Sequence, residues 1–188
     1  PLGAGGAWPA AASAWTVELA DPDCPHYLGL DIEVPGGPRP SPRRLRARLA
    51  AVGVRARNDF VDLANYVLLE TGQPVHAFDA AKLEGRRVCV RAARNGERLQ
   101  LIDETERVLL PADLVIAYAT RAVALAGVMG GADSAVGAST TRLLLESAVF
   151  QPARIRRTAQ RLALRTDASS RFEKALDPLG AESAARRF

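Results

Sequence analysis

The sequence predicts an α+β fold in which helices lie at both ends of a strand-rich middle. Three observations lead to this prediction. Apolar residues recur at helical spacing between residues 41 and 72, the period changes to two between residues 87 and 149, and residues 151–164 form a basic amphipathic segment. The 188 residues are 48% hydrophobic and 24% charged, so the chain has enough apolar material for a sizeable core.

The chain is expected to form one domain that begins with two strands. Residues 1–14 are rich in Gly, Ala and Pro without a period, and we expect a flexible end there. Residues 15–188 show no second boundary, and we expect them to be one domain cut from a larger polypeptide. Alternating apolar residues predict strands at 15–19 and 27–34.

Two helices are predicted next. Ser41 stands where a capping residue would start the first helix, and Gly53 closes its apolar stripe. The second helix is predicted from Asp59, as the cap, to Thr71, because apolar residues recur at helical spacing and Gly72 ends the pattern.

The rest of the chain predicts strands and then helices again. Pro74 favours an extended segment after the second helix. Six apolar or alternating runs then predict strands at 88–91, 98–102, 107–110, 114–118, 122–128 and 142–149. A basic helix is predicted at 151–164, and another helical segment is predicted to begin at 172–176.

Composition and residue types exclude several classes of protein. No apolar stretch is long enough to span a membrane, so we expect no membrane contact and a cytoplasmic location. The net charge of +4, from 25 basic and 21 acidic residues, permits a polyanionic partner without requiring one. The only soft or imidazole ligands are Cys24, His26, His76 and Cys89, so we expect neither a metal site nor a disulfide.

Three features could support chemistry or binding. His76 follows Pro74 in the extended segment, so its ring could be held towards a pocket, although a lone histidine is more often structural than catalytic. Glu146 interrupts the apolar run 143–149, so it needs either an arginine partner or a ligand. The run 127–131, GVMGG, lacks the spacing of dinucleotide or phosphate loops, and indicates either a tight turn or close approach of a ligand to the backbone.

Five segments together resemble one known module. In chain order they read CPHYLGLDIEV, SPRRLRARLAAVGVRARNDFVDLANYVLLETGQPVHAFD, LAGVMGG, LLLESAVFQPARIRRTA and TDASSRFEKALDP. Over about residues 15–180 the chain resembles the editing module of the bacterial phenylalanyl-tRNA synthetase β chain. The resemblance implies a three-layer α+β assembly containing a β-sandwich of unusual topology. It also implies hydrolysis of tyrosine wrongly esterified to phenylalanine tRNA.

The resemblance implies roles for five residues. Glu146 matches the acidic residue that recognises the tyrosine phenol, and Gly127 matches a glycine whose backbone lines the amino-acid pocket. Ala168 matches a small residue on the pocket wall. His76 and Asn65 match polar residues near the scissile ester and the terminal adenosine.

The chain departs from the family pattern at a few positions. Ala64, beside the amino-acid pocket, stands where a threonine commonly precedes the asparagine, so one hydroxyl that could place water is missing. Glu104 and Ala175 stand where glycine is frequent, and Tyr118 where aspartate is frequent, which predicts local turn or surface effects.

The resemblance also implies partners. These are the acceptor end of tRNA(Phe), the tyrosine moiety of the mischarged tRNA, and a separate synthetase α subunit, with no cofactor for editing and no aminoacylation by this chain alone. The alternative is a catalytically silent tRNA-binding or architectural module, which Ala64 and the arginines of the 154–165 helix favour.

Overall fold

A computed structural model describes residues 15–118 and 120–188, so the flexible end predicted for residues 1–14 lies outside the described residues. Within that range the chain forms ten strands and five α-helices. The strands are β1 (Thr16–Leu19), β2 (His26–Glu33), β3 (Val75–Asp79), β4 (Arg87–Ala92), β5 (Arg98–Gln100), β6 (Glu106–Val108), β7 (Leu114–Tyr118), β8 (Arg121–Leu125), β9 (Met129–Gly130) and β10 (Arg142–Val149). The helices are α1 (Arg43–Ala51), α2 (Asp59–Thr71), α3 (Pro152–Arg161), α4 (Asp167–Phe172) and α5 (Pro178–Arg187).

The strands form three sheets. The largest has the order β1-β4-β7-β8-β9, with β1 and β4 parallel and the other pairs antiparallel. A three-stranded antiparallel sheet has the order β2-β10-β3, so β10 is its central strand. The strands β5 and β6 form a separate hairpin. The predicted α+β class, with helices on both sides of a strand-rich middle, is confirmed.

The main core lies between the two larger sheets. Side chains alternate across a strand, so Leu144 and Ala148 of β10 face the same side as Phe78 of β3. They pack in one cluster with Val90 and Ile116 of the five-stranded sheet. The helices α3 and α4 extend this cluster through Ile155 and Phe172.

The other face of the three-stranded sheet is covered by helices. Leu143 and Leu145 of β10 and Ala77 of β3 pack with Phe60 of α2 and Ala185 of α5. Helix, small sheet and large sheet therefore form three layers, and the three-stranded sheet is the middle one. A side chain on its inner face is enclosed by the main core.

The observed helix starts differ from two predictions. Ser41 does not cap α1, since its hydroxyl donates to the buried carboxylate of Asp62 and the capping position is Pro42. Asn58 rather than Asp59 caps α2, because the Asn58 side chain accepts from the N–H of Val61 at 3.0 Å. Ser41 already has Asp62 as its hydrogen-bond partner. Asn58 has the extended backbone that a capping residue adopts, with φ −143° and ψ 167°.

The helical segment predicted to begin at 172–176 is wrong, because α4 ends at Phe172 and residues 173–177 form a turn and a loop before α5. Thr166 and Ser169 form a reciprocal capping box that starts α4 at Asp167. The short polar run 166–170 hides this start, because its signal is hydrogen bonding and not apolar spacing. The helix α5 was not predicted, and the hydroxyl of Ser147 donates to the Ala181 carbonyl oxygen at 2.8 Å to hold it against β10. Among the described helices, none is long and apolar enough to cross a membrane.

Candidate functional site

Glu146 lies on the inner face of the middle layer. In the strand register it is opposite His76 of β3 on one side and Gly29 of β2 on the other. Side chains directly opposite in an antiparallel pair are neighbours, with Cβ atoms about 5 Å apart. The carboxyl group therefore has an imidazole beside it on one flank. On the other flank the space at Gly29 is filled, because a Cβ atom there would lie 3.3 Å from Cδ1 of Leu144 and 3.7 Å from Cε1 of Tyr27.

The partner of Glu146 is a phenol. The Tyr27 hydroxyl donates to Glu146 Oε2 at 3.1 Å. The Glu146 residue is 6% exposed, and no ion pair joins it to any arginine or lysine that the structure describes. Burial raises the pKa of Glu146 to about 8, and the Tyr27 hydrogen bond only partly opposes that rise. Of the two alternatives left open by the sequence, the arginine salt bridge is wrong.

The surroundings of Glu146 are uncharged at neutral pH. Burial, followed by the proximity of Glu146, raises the pKa of Tyr27 well above its usual range. Burial likewise raises the pKa of the Cys24 thiol to about 12, so this cysteine is protonated. At neutral pH the carboxyl group of Glu146 is mostly a neutral acid and can either donate or accept a hydrogen bond.

His76 is held neutral and has a free ring nitrogen. Burial lowers the pKa of His76 to about 4. Its ring packs edge-on against Phe78 at 4.4 Å between centroids, and its Nε2 atom is buried without a hydrogen-bond partner. A neutral imidazole with one unpartnered nitrogen can form one further hydrogen bond, and reaching Nε2 requires displacement of the Gly130 backbone that covers it.

Gly130 packs directly on the His76 ring. A Cβ atom at Gly130 would lie 2.6 Å from Cε1 and 2.8 Å from Nε2 of His76, closer than atoms can approach. Glycine is therefore required at 130 for this position of the imidazole ring.

The segment 127–130 crosses the face that bears Glu146. Gly127, at φ +67°, lies against the rings of Phe150 and Phe172, whereas Gly130 lies against His76 at the other end. Phe150 and Glu146 are both on the inner side of the same chain segment, four residues apart, or about 13 Å in an extended chain. The two ends of the segment 127–130 therefore contact side chains on the same inner face that bears Glu146 and His76.

The start of α4 closes one side of the site. The Thr166 hydroxyl donates to the Val128 carbonyl oxygen at 2.8 Å, which fixes the helix start against the segment 127–130. Ala168, in the first turn of α4, is half-buried and packs against the main core together with Tyr27 and Met129. Its placement is compatible with the predicted pocket wall.

Ala64 and Asn65 lie elsewhere. Both are half-buried on α2, which packs on the opposite face of the middle layer through Phe60. No hydrogen bond joins Asn65 to His76 or Glu146 in the described part of the chain. The strand β3 lies at the edge of the three-stranded sheet, and an isolated bridge joins its Phe78 to Ala135.

Two surface depressions lie away from this site. One, of about 480 Å³, is lined by residues that include Arg87, Cys89 and Arg91. The other, of about 220 Å³, lies along α3 and includes Arg154 and Asp113. Neither is lined by Glu146 or His76. Within the described residues no group of three or more His, Cys, Asp or Glu side chains could hold a metal ion.

Sequence reasoning missed Tyr27 and Gly130 as site residues. Tyr27 is 119 positions from Glu146 and its strand alternation predicts only that it is half-buried. Gly130 was visible within the run 127–131, yet nothing local in the sequence relates it to His76. Tyr27 reaches Glu146 only because β2 pairs with β10, and Gly130 reaches His76 only because the two sheets pack on each other.

The chain is similar to proteins of known family. Residues 23–188 match the family described as B3/4 domain. The phenylalanine–tRNA ligase β subunit of Moorella thermoacetica is 49% identical over 175 residues, which are 92% of this chain and 21% of that protein. The β subunit from Symbiobacterium thermophilum is 53% identical over 148 residues, 79% of this chain and 17% of that protein. This chain therefore spans about a fifth of the length of the curated relatives it matches.

A solved structure shares the fold. It is an N-terminal fragment of the phenylalanyl-tRNA synthetase β subunit from Pyrococcus horikoshii, with a TM-score of 0.53 and 12% sequence identity. The match covers 80% of this chain and 49% of that fragment. At this identity the likeness concerns the mixed α/β architecture alone.

Proposed function

The chain belongs to the B3/4 domain family, and from this membership we propose that it is the editing part of a phenylalanine–tRNA ligase β subunit, which hydrolyses tyrosine from mischarged tRNA(Phe). Its proposed partners are the acceptor end of tRNA(Phe) and, in the full enzyme, a separate α subunit. The proposal includes a cytoplasmic location, no cofactor for the hydrolysis, and no aminoacylation by this chain alone.

An editing site is needed because tyrosine differs from phenylalanine by only one hydroxyl group. A hydrophobic pocket that accepts phenylalanine rejects an analogue with an added hydroxyl by only about 10²-fold. A site that hydrogen-bonds that hydroxyl discriminates by about 10⁴-fold or more, because its polar group is left unpaired by the wrong ligand. A second site that selects for tyrosine can therefore correct what the first site accepts.

The observation that carries the proposal is the carboxyl group of Glu146. It is buried, has no cationic partner among the described residues, and accepts a hydrogen bond from the Tyr27 phenol at 3.1 Å. The protein thus already contains the interaction that the proposal assigns to the substrate. Oε2 accepts from Tyr27, and Oε1 is the atom proposed to bind the phenol of the substrate. Phenylalanine offers no partner there.

The proposed reaction is ester hydrolysis. Water attacks the carbonyl carbon of the tyrosyl ester, the bond to the ribose oxygen breaks, and free tyrosine and a tRNA with a restored ribose hydroxyl are released. Such an ester is already reactive, so the protein has to position the carbonyl and the water more than it has to activate them. The unpartnered Nε2 of neutral His76 can hydrogen-bond either group, and Asn65 is proposed to contact the terminal adenosine.

The test is release of tyrosine from tyrosyl-tRNA(Phe) by this chain. We expect wild-type protein to accelerate the release, and Glu146→Ala to remove most of the preference for tyrosyl over phenylalanyl ester, about 10²-fold by loss of hydroxyl recognition. Glu33→Ala, at an exposed carboxylate of the same sheet, is the matched control and should leave the rates unchanged. Equal rates for wild type and Glu146→Ala would refute the proposal.

The alternative is a catalytically silent tRNA-binding or architectural module. Two observations favour it: Ala64 supplies no hydroxyl, and Asn65 lies on the helix that covers the opposite face from Glu146. Such a module would bind the acceptor end and leave the half-life of the ester unchanged. The same assay with a binding measurement therefore separates the two functions.

A further inference from the structure

One surface of the molecule has arginines without acidic partners. Residues 34–58 contain seven arginines and no aspartate or glutamate. Six of the seven lie on α1 or in the loop that follows it, and we call them the α1 arginine surface: Arg43, Arg44, Arg46, Arg48, Arg55 and Arg57. All six are exposed.

Elsewhere the arginines are mostly neutralised by neighbouring carboxylates. On α3, Arg154 forms ion pairs at 2.9 Å with both Asp21 and Asp23, and Arg161 pairs with the buried Asp113. In contrast, no member of the α1 arginine surface takes part in an ion pair with a described residue. Arg48 is the member nearest a carboxylate, since it donates to the Tyr66 hydroxyl at 2.7 Å and that hydroxyl donates to Glu70 at 3.0 Å. The ion-pair partner of Glu70 is Arg187, and the charge of Arg48 adds only a smaller contribution to the lowered pKa of Glu70.

These arginines are not needed for the fold. Only one side chain of α1, Leu49, is fully buried, and Arg43 and Arg44 occupy the opposite side of the helix. Exposed Ala47, Ala50 and Ala51 lie between the arginines and leave the backbone accessible. The carboxylates nearest in the chain are already engaged, because that of Asp62 accepts from Ser41 and from the N–H of Arg57.

The position of the surface links it to the proposed site. The helix α1 packs against α2, and Arg48 lies 5.8 Å from the centre of the Tyr66 ring. Tyr66 directly follows Asn65, the residue proposed to contact the terminal adenosine. A nucleic-acid strand that ends near Asn65 would therefore pass over α1.

We propose that the α1 arginine surface binds the phosphate backbone of an RNA stem whose 3′ end enters the site. The proposal rests on the proposed function for the identity of the RNA. A protein partner fits the surface less well, since the centres of protein interfaces are apolar or aromatic, whereas this surface consists of arginine and alanine. Phosphates suit it because unpaired guanidinium groups bind them through charge-assisted hydrogen bonds.

The test compares two triple variants that each remove three positive charges. Arg43→Gln, Arg44→Gln and Arg46→Gln together change the proposed surface. Arg87→Gln, Arg98→Gln and Arg121→Gln together change exposed arginines that are paired with Glu18, Glu106 and Asp133. Glutamine maintains helix propensity, and circular dichroism checks that both proteins are folded.

The measurement is binding of a fluorescent hairpin with the tRNA(Phe) acceptor stem and its 3′ CCA end, over a series of salt concentrations. We expect the α1 triple variant to bind about tenfold more weakly or worse, with a log–log salt slope reduced by roughly 2. The control triple variant should bind nearly as wild type. Replacing the same three α1 arginines by lysine should retain most of the affinity, because the contact is with phosphate charge.

The outcomes separate this proposal from the proposed function. If both triple variants weaken binding equally, or neither does, the α1 arginine surface is not the RNA contact, even where wild-type protein hydrolyses tyrosyl-tRNA. If the α1 variant alone loses binding while wild type leaves the ester intact, RNA binding by the α1 arginine surface is supported and the editing function is refuted.

Discussion

The buried Glu146 and the half-buried Glu97 have opposite surroundings. Glu97 receives two hydrogen bonds from the Arg91 guanidinium, at 2.7 and 2.9 Å, and one from the N–H of Ala122. Burial by itself would raise the pKa of Glu97, but these hydrogen bonds lower it to about 2. Glu146 has a single phenol partner, and burial raises its pKa to about 8.

The difference separates a structural carboxylate from a candidate binding group. Glu97 has its charge compensated and its acceptor positions filled, so it contributes to the fold and has no capacity for a ligand. Glu146 remains under-bonded at a cost to the folded state, which is typical of groups retained for binding or catalysis. The arginine partner is what distinguishes them.

The largest expected effect is the loss of stability when the negative charge of Glu97 is removed. Glu97→Gln should destabilise the protein by about 2 kcal/mol, because Arg91 is left as an uncompensated, half-buried charge. Glu146→Gln should not destabilise the protein at pH 7, since an amide can still accept from Tyr27 and does not have to take up a proton on folding. Urea unfolding of both variants measures this. A larger loss for Glu146→Gln than for Glu97→Gln would reverse the assignment.

The pH dependence of stability should distinguish Glu146 from an ordinary glutamate. The folded-state pKa of Glu146 is about 8 against 4.5 for an ordinary glutamate, so between these values the folded state holds a proton that the unfolded state has lost. Stability therefore falls as pH rises through this window, by up to roughly 1.4 kcal/mol per pH unit.

His76 has the opposite effect at lower pH. Its folded-state pKa is about 4 against 6.5, so its contribution to stability increases as pH rises from about 4 to 6.5 and offsets that of Glu146. Wild type should then lose stability mainly from pH 6.5 to 8, whereas Glu146→Gln should be flat there. Denaturant titrations at several pH values test this, and a parallel decline in both proteins would contradict it.

Gly130 and Gly137 provide a test of the imidazole position. Gly130→Ala places a methyl group on the His76 ring and should destabilise by about 1–3 kcal/mol through overpacking, with loss of hydrolysis as the ring moves. Gly137→Ala is the control, because nothing lies within 4 Å of its Cβ position and its φ is not positive. The His76 ring resonances in NMR spectra should shift only in the first variant.

Tyr27→Phe tests the internal phenol. The variant removes the hydrogen bond to Glu146 and retains the ring, so we expect a loss of about 1 kcal/mol and a roughly fivefold lower preference for tyrosyl ester. Tyr66→Phe removes a hydroxyl bonded to Arg48 on the surface and should affect neither property. An unchanged preference in Tyr27→Phe would mean that Tyr27 does not position the carboxyl group.

The smallest effects concern the backbone away from both glutamates. Glu104 and Ala175 have φ of +66° and +63°, the conformation that favours glycine. Glu104→Gly and Ala175→Gly should each stabilise the protein by up to about 1 kcal/mol by relieving that strain, without an effect on hydrolysis. Thermal unfolding measures this, and lower melting temperatures would show that the gain in unfolded-state entropy outweighs the strain relieved.

Much of the fold could be predicted because its signals are local. The alternation in 142–149 predicts β10, and Gly72 at φ +80° ends α2 where the pattern stops. The start of α4 and the whole of α5 were missed, because they depend on a hydrogen-bonded cap and on contact with β10.

The candidate site was predictable only in part. An acidic residue within an apolar strand marks Glu146 as unusual, and Pro74 predicts the extended segment that holds His76. That the two are opposite each other in one sheet depends on the pairing of β10 with β3, whose residues are about 70 positions apart in the chain.

The sequence by itself determined most of the types of element, the unusual place of an acidic residue within an apolar strand, and the family resemblance. Only the tertiary structure decided that the carboxyl meets a phenol and not an arginine, that Gly130 packs on the His76 ring, and that the arginines of the α1 arginine surface form no ion pair with a described residue. The physical reason is that periodicity is a property of neighbouring residues, whereas partners such as Tyr27 and Glu146, 119 positions apart, meet only when the strands pair.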